Sequence, residues 1–323
     1  MTRLRVAVVG GGRIAREHLR VLTAHPECDV VVLCDRDEAV QRSVADQFRI
    51  PERTTSAAAL AGRDDLDAVF VMVSLLAAPA VISLFLEAGM PTFLEKPPGL
   101  YTADTARLVE LAERRGTLAM VGLNRRFYSH HLVVRDYFAA EGPHGPLATV
   151  TVEAHEDLAN TPAKHPPEVV PRVLYHNSIH AIDLLRFFGG EVADVESHVA
   201  RVEHAFPDSF AAVVRFASGS RGCLLSDHFA PGGHRFELRS IGARATSQPG
   251  FAATELAVRG AAPRLIAADE DDVRFKAGLW KQDSAFLAGV RAGRQPPFPA
   301  ASLPDAYHTM QLIDRIATPA RGA

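Results

Sequence analysis

The chain has 323 residues, 47% apolar and 23% charged, which is enough for about two domains with a sizeable core. A formal net charge of −3 gives neither nucleic acid nor an anionic membrane an electrostatic reason to bind. No apolar run approaches the length that spans a bilayer, and Thr2-Arg3-Leu4-Arg5 leads directly into an apolar run without a separate leader. Three cysteines (Cys28, Cys34, Cys223) with no C-x-x-C read as buried thiols of a reducing compartment, not a disulfide frame or zinc site. The expectation is a cytoplasmic protein with no nucleic-acid or membrane partner and no metal.

The first apolar run, 4–10, ends in Gly10-Gly11-Gly12, and a helical pattern starts at Arg13. Gly10, Gly12 and Ala15 fit the G-x-G-x-x-G/A spacing of a dinucleotide-binding strand–turn–helix. The first glycine permits the turn, the second clears the approach to a pyrophosphate, and the small third residue lets helix and strand pack closely. Arg13 and Ile14 open the helix, whose free N–H groups and positive dipole end face the phosphates. A second run, Val30 to Cys34, ends in Asp35, where a ribose-binding acid belongs. Asp35 favours NAD by accepting from both ribose hydroxyls and repelling a 2′-phosphate. Arg36, directly after it, leaves NADP open.

Further apolar runs at 67–74, 91–95 and 117–123 alternate with helical patterns at 37–48, 77–89 and 102–115. That spacing predicts βαβ units: a doubly wound parallel sheet with helices on both faces. After Gly122 the texture changes. A helical stretch at 127–140 precedes Gly142-Pro143 and Gly145-Pro146, and then a period-two strand follows over residues 148–155. Strand patterns at 191–203, 208–217, 221–229 and 234–241 suggest an open, mostly antiparallel sheet with one partly polar face. Pro162 to Pro171 is too proline-rich for regular structure. Helical patterns at 177–188, 278–292 and 302–317 complete the chain. The expected division is 1–123 for a dinucleotide-binding domain and 124–300 for an α+β substrate and oligomerisation domain. Residues 301–323 are then a C-terminal helix packing back near the first domain.

Three constellations carry chemistry. Glu95-Lys96-Pro97-Pro98 ends the fourth apolar run, and in doubly wound sheets ligands bind outside the carboxyl ends of the strands. Lys96 there can polarise a carbonyl or stabilise an alkoxide, although a surface salt bridge of Glu95 is the plainer alternative. Gly122-Leu123-Asn124-Arg125-Arg126-Phe127 ends the next run, and a solvated turn is its plainer reading. The third is Tyr175-His176-Asn177-Ser178-Ile179-His180-Ala181-Ile182-Asp183. On a helix its residues 176, 180 and 183 share one face. Either an acid-oriented histidine handles a proton there, or His-x-x-x-His holds a metal, for which Asp183 is a further ligand and nothing else points to one.

In this order the motifs resemble the Gfo/Idh/MocA family of oxidoreductases, the glucose–fructose oxidoreductase and inositol dehydrogenase type. The resemblance runs from the glycine turn to His180-Ala181-Ile182-Asp183 and on through Phe286-Leu287-Ala288-Gly289-Val290 to the final helix. It implies a Rossmann domain bound to NAD or NADP and a second domain whose open sheet commonly makes a dimer or tetramer interface. It also implies hydride transfer on sugars, cyclitols or related compounds. Lys96 matches the family's active-site lysine, His180 its acid/base and Asp183 a supporting acid. Gly10, Gly12 and Asp35 match cofactor positions, with Ser74, Glu95 and Asn124 expected to join them.

Two positions depart from the pattern. His176 stands where many relatives carry aspartate, and an imidazole cannot raise the proton affinity of His180 as a carboxylate does. Tyr175 or His176 then enters the proton path. Ser74-Leu75-Leu76-Ala77-Ala78-Pro79 replaces the usual Thr/Ser-Pro after the third strand. Arg126, His155 and His165 are weaker candidates for substrate contacts. The expected function is an NAD(P)-dependent oxidoreductase interconverting hydroxyl and ketone on a polyhydroxy substrate. The alternatives are a non-catalytic dinucleotide-dependent sensor and a redox-neutral enzyme with tightly held NAD.

Overall fold

Val6, Val8, Phe70 and Phe93 have no exposed surface, and such runs fold as parallel strands covered on both faces. In the computed structural model, which describes residues 2–139, 145–160 and 165–318, these strands build the first of two compact units. That unit holds the chain up to Phe127 together with Glu270–Tyr307; the second holds Tyr128–Asp269 and the residues from His308 on. The first unit starts β1 (Leu4–Val9), α1 (Arg13–Ala24), β2 (Cys28–Cys34), α2 (Glu38–Phe48), β3 (Glu52–Thr54) and α3 (Ala57–Ala61). It continues β4 (Ala68–Val71), α4 (Ala78–Glu87), β5 (Thr92–Leu94), α5 (Thr102–Arg115) and β6 (Ala119–Val121). The strand β3 has no apolar residue and the helix α3 is only five residues of alanine and leucine, so neither shows a period in the sequence. The parallel order β6-β5-β4-β1-β2-β3 reverses direction between β1 and β4, so the carboxyl ends of these strands flank a switch point.

A short 3₁₀ turn, Asn124–Phe127, replaces the start of the expected helix at 127–140, and α6 spans Ser129–Tyr137. Gly142-Pro143, the start of the proline-rich stretch at 162–164 and the tail 319–323 lie outside the described residues. Pro171 itself sits in a 3₁₀ turn, Val170–Arg172. The second unit continues β7 (Thr149–Asp157), α7 (Val173–His176), α8 (Ile179–Gly189), β8 (Val192–Ala200), β9 (Ser209–Phe216) and β10 (Arg221–Asp227). After these come β11 (Phe229–Ser240), β12 (Ala243–Ser247), β13 (Ala253–Val258) and β14 (Arg264–Ala267). Their order is β14-β13-β12-β11-β7-β10-β9-β8, antiparallel at every pairing except β7 with β10. One face is buried: Val150, Val152 and Ala154 of β7 are 0% exposed against α8. The other is open, and Cys223 lies on it, exposed; Cys28 and Cys34 are buried as expected. Period two sends Cys223 outward because Leu224 points in.

Helices α9 (Glu270–Arg274) and α10 (Leu279–Ala292) and strand β15 (Ala301–Ser302) return the chain to the first unit. Residues 270–300, expected with the second domain, therefore belong with the first. The reason is apolar: Phe286 and Leu287 of α10 are fully buried in the core of the first unit, and Phe286 meets Phe70 and Phe93 edge-on. Strand β15 adds antiparallel to β6, completing seven strands. The last helix, α11 (Leu303–Ala317), was expected near the first domain, but only its start groups there. From His308 on it belongs to the second unit, where Thr309 bonds Asp183 and Asp314 accepts from Tyr175. No helix among the described residues is long and apolar enough to cross a membrane.

Candidate active site

Gly10 ends β1 at φ +103°, and a Cβ there would stand 2.2 Å from the carbonyl oxygen of Met72. Only glycine fits that turn. Gly12 instead opens outward as the N-cap of α1, with nothing within 4 Å of its Cβ position and no acidic residue in the helix's first turn. The first-turn N–H groups of a helix have no intrahelical acceptor, so Gly12, Arg13 and Ile14 form a cradle for an anion. Asp35 lies beside this turn: the Gly11 N–H donates to its Oδ2 at 2.7 Å and the Asp37 N–H to its Oδ1 at 2.9 Å. A bare glycine cradle and an anchored acid fit a pyrophosphate and an adjoining ribose. Arg36 is exposed, and so is Ser74, whose carbonyl caps the turn into α4.

At the end of β5, Lys96 is half-buried and joined to Pro97 through a cis bond. Glu95 does not point outward as a cofactor ligand would. Its Oε1 takes a hydrogen bond from His18 Nε2 at 3.1 Å and its Oε2 accepts from the Lys96 N–H at 3.3 Å. Burial works against its charge, but His18, Lys96 and Lys276 outweigh it and hold the carboxyl below the usual range. Gly122 has no side chain because Glu95 fills that space: a Cβ there would stand 2.6 Å from Glu95 Oε1. The amide of Asn124 donates to the Ala277 carbonyl at 2.9 Å, and Arg126, 1% exposed, pairs with Asp305. These two, the expected cofactor and substrate contacts, hold the returning segment within the first unit.

In the second unit the tract from 173 to 189 is not one helix. His176 closes α7, Asn177 and Ser178 break the pattern, and His180 sits in the first turn of α8. His176, 8% exposed, has its ring 5.0 Å from that of His165. His180 is half-buried. Asp183, 1% exposed, accepts from Thr309 Oγ1 at 2.9 Å, and Arg186 donates to the same hydroxyl at 3.0 Å. Through Thr309, Asp183 ties α8 to the last helix. Tyr175 is likewise turned inward: its hydroxyl donates to Asp314 at 2.8 Å, the Arg172 guanidinium covers its ring, and burial with Asp314 pushes its pKa up. His155 lies on the open sheet face, opposite to the face that α8 covers. There it contacts Asp227 at 2.6 Å and Glu153 at 3.1 Å, and although burial opposes its charge these carboxylates raise its pKa. The structure therefore does not bring His155 together with His180; period two parts them. Among the described residues, no group of three or more His, Cys, Asp or Glu is arranged to hold a metal.

A model of the oxidoreductase family with an NAD-binding Rossmann fold, GFO_IDH_MocA, matches residues 4–123, and the GFO/IDH/MocA C-terminal domain matches residues 138–247. The chain belongs to the Gfo/Idh/MocA family. It is an oxidoreductase with an NAD-binding Rossmann domain. It is 24% identical over 305 residues to inositol 2-dehydrogenase of Rhizobium meliloti, covering 90% of each chain. It is 28% identical over 307 residues to myo-inositol dehydrogenase Hyg17 of Streptomyces leeuwenhoekii, covering 92% of this chain and 90% of that one. Levoglucosan dehydrogenase in complex with NADH has the same fold, with a TM-score of 0.85 at 16% identity, covering 98% of this chain and 96% of the other.

Two groups of this Gfo/Idh/MocA chain escaped the sequence reading. His18 occupies the apolar stripe of α1 with Ala15, Leu19 and Leu22, all 0% exposed, and meets Asp283 of α10. A histidine in phase with that stripe was the available signal. Glu156 follows His155 but lies on the buried phase of β7, where an acid is itself a signal. It accepts from His234 Nε2 at 2.8 Å, from Asn177 and from Ser178, and although burial opposes its charge His234 and Asn177 keep its pKa low. Glu156 thus anchors the break between α7 and α8 that carries His176 and His180.

Proposed function

We propose that this family member is an NAD-dependent dehydrogenase that interconverts a hydroxyl and a ketone on a sugar, cyclitol or similar polyhydroxy compound. The observation that carries this reading is Lys96 at the carboxyl end of β5, in the same NAD-binding unit as the glycine cradle and Asp35. The relatives named for inositol and levoglucosan support the substrate class, and their dehydrogenase names do not favour the sensor and redox-neutral alternatives. Bound NAD supplies the hydride acceptor. Residues up to 123 hold that cofactor, and the remainder serves substrate and assembly. Lys96 donates from its ammonium to the substrate oxygen and stabilises the alkoxide as the proton leaves. His180 takes that proton in oxidation and returns it in reduction, and the His176 ring, beside His165, carries it onward. Asp35 supports NAD over NADP. The three free thiols support a cytoplasmic setting. The open face of the sheet presents Val213 and Leu225, each 49% exposed, together with Cys223, which supports a homodimer or homotetramer through that face.

The test is a turnover screen at 340 nm with NAD⁺ and NADP⁺ against cyclitols, sugars and sugar acids, with nicotinamide fluorescence recording cofactor binding. Lys96→Met is expected to lower turnover at least about a hundredfold and to leave NAD binding nearly intact. Full turnover in that variant removes Lys96 from the mechanism. NAD binding without turnover of any polyhydroxy compound overturns the substrate class.

A further inference from the structure

His18 is 0% exposed and lies between two carboxylates, its Nδ1 2.8 Å from Asp283 Oδ2 and its Nε2 3.1 Å from Glu95 Oε1. A neutral imidazole has one donor only, so one ring nitrogen would turn a lone pair toward a carboxylate. The imidazolium satisfies both. Glu95 in turn uses its second oxygen on the Lys96 N–H, 3.3 Å away, while the bare backbone of Gly122 leaves room for the carboxylate and holds it close. Three elements thus meet at one carboxylate: α1, which starts at the glycine cradle; α10, which brings Asp283; and the end of β5, which carries Lys96. The charged groups facing this cluster are Asp283 and Glu95 on His18, with Lys96 and Lys276 acting on Glu95.

We propose that Asp283, His18 and Glu95 form a buried charge chain in which His18 is a positioning residue for Lys96. The imidazolium keeps Glu95 ionised and fixed behind the lysine, so the Lys96 backbone and the charge beside it are set before any substrate arrives. This inference rests on the reading of Lys96 as the group that contacts substrate. Burial opposes the charge on His18, but Asp283 and Glu95 outweigh it and lift its pKa to about 9, so the imidazolium persists through neutral pH; burial pushes the Asp283 carboxyl up, against the pull of His18. A histidine that only filled the core would need neither two carboxylates nor a link to the residue beside it.

The chain has four lysines, Lys96, Lys164, Lys276 and Lys281, so ¹³C-dimethylation gives a spectrum that single Lys→Arg substitutions assign. With ¹³Cε1-labelled histidine in the same NAD-loaded protein, the His18 resonance is expected to titrate near pH 9. The Lys96 methyl resonance is expected to carry an inflection at that same pH. Glu95→Gln is expected to move the His18 titration downward and to remove the inflection at Lys96. Asp283→Asn moves the His18 titration downward and the Lys96 inflection with it; this variant keeps the bonding geometry should His18→Gln fail to fold. A Lys96 resonance with no inflection where His18 titrates, or one that keeps it in Glu95→Gln, overturns the proposal. These spectra are read without substrate, so failure of the dehydrogenase reading leaves them valid. In the turnover assay, His18→Gln is expected to lower kcat at least about tenfold while the KM for NAD stays within about twofold. An equal loss in both parameters would mark His18 as merely structural.

Discussion

His18 in the first unit and His228 in the second are 0% and 2% exposed, yet they differ in charge. His18 touches two carboxylates and its pKa is lifted to about 9. His228 has Ser178 Oγ at 3.4 Å and the ring of Phe210 at 5.5 Å; burial pushes its pKa down to about 4, although Glu156, Asp227 and Asp208 pull the other way. Carboxylates surround both rings. What separates them is contact, since charge without a hydrogen bond does not offset the desolvation of a buried cation. One buried histidine is therefore a charged strut and the other a neutral filler, and the cofactor-binding unit is the one that holds the strut.

The largest way to break this comparison is Asp283→Ala, which leaves His18 with one carboxylate. Breaking a buried pair by removing one partner costs about 3–5 kcal/mol, and the first unit is expected to lose that much. The single tryptophan, Trp280, lies in that unit against Phe275, so its fluorescence in a urea titration reads the loss there. A cost below about 1 kcal/mol would mean that Asp283 does not support the imidazolium.

The pH dependence sharpens the contrast. The pKa of His18 is higher folded than the unfolded value of 6.5, so its contribution is complete below 6.5 and is lost as pH rises through about 9. His228 is the reverse: its folded pKa of about 4 lies below 6.5, so its contribution is present above 6.5 and is lost as pH falls through about 4. Each shift corresponds to roughly 3 kcal/mol at full loss. The Trp280-monitored transition is expected to weaken between pH 7 and 9. A second weakening follows from pH 9, where the thiols of the unfolded chain ionise, and ends as those of Cys34 and Cys28, pushed up by burial to about 11 and about 12, follow. An alkaline limb that begins only above pH 9 would leave His18 without its proposed charge.

How much of this was legible follows the same division. The glycine turn, Asp35 and the parallel strands were readable because backbone geometry dictates them: Gly10 must be glycine wherever a chain turns at φ +103° against a carbonyl. The Lys96 position was readable because a strand end has a fixed place in a doubly wound sheet. What Glu95, Asn124 and Arg126 do was not, because His18, Ala277 and Asp305, their partners, are 77, 153 and 179 residues away along the chain. The helix phase that aligned His176 with His180 failed because Asn177 and Ser178 break the helix, and their anchor, Glu156, sits on a strand. Strands β12 to β14 were missed because each is only four to six residues long, too short for an alternation to register against the turns around them.

The smallest predicted effect is at His228. Replacing it by leucine keeps the buried volume roughly constant and gives up one long hydrogen bond to Ser178, so stability at pH 7 should fall by about 1 kcal/mol or less. The substitution also removes the group that must remain uncharged. Below pH 6 the wild-type second unit has to exclude a proton from His228 or lose structure, whereas the leucine variant carries no such cost. Asp208 sets a separate limb lower down: burial opposes its charge, but the backbone N–H groups of Glu203, His204 and Val202 hold its pKa at about 2. The difference between the two chains is therefore expected to grow as pH falls from 6.5 toward 4, and at pH 4.5 far-UV circular dichroism in a urea series should find the leucine variant the more stable. If wild type and variant lose stability in parallel from pH 7 to pH 4.5, His228 is not a buried neutral imidazole, and the contrast with His18 fails at its second member.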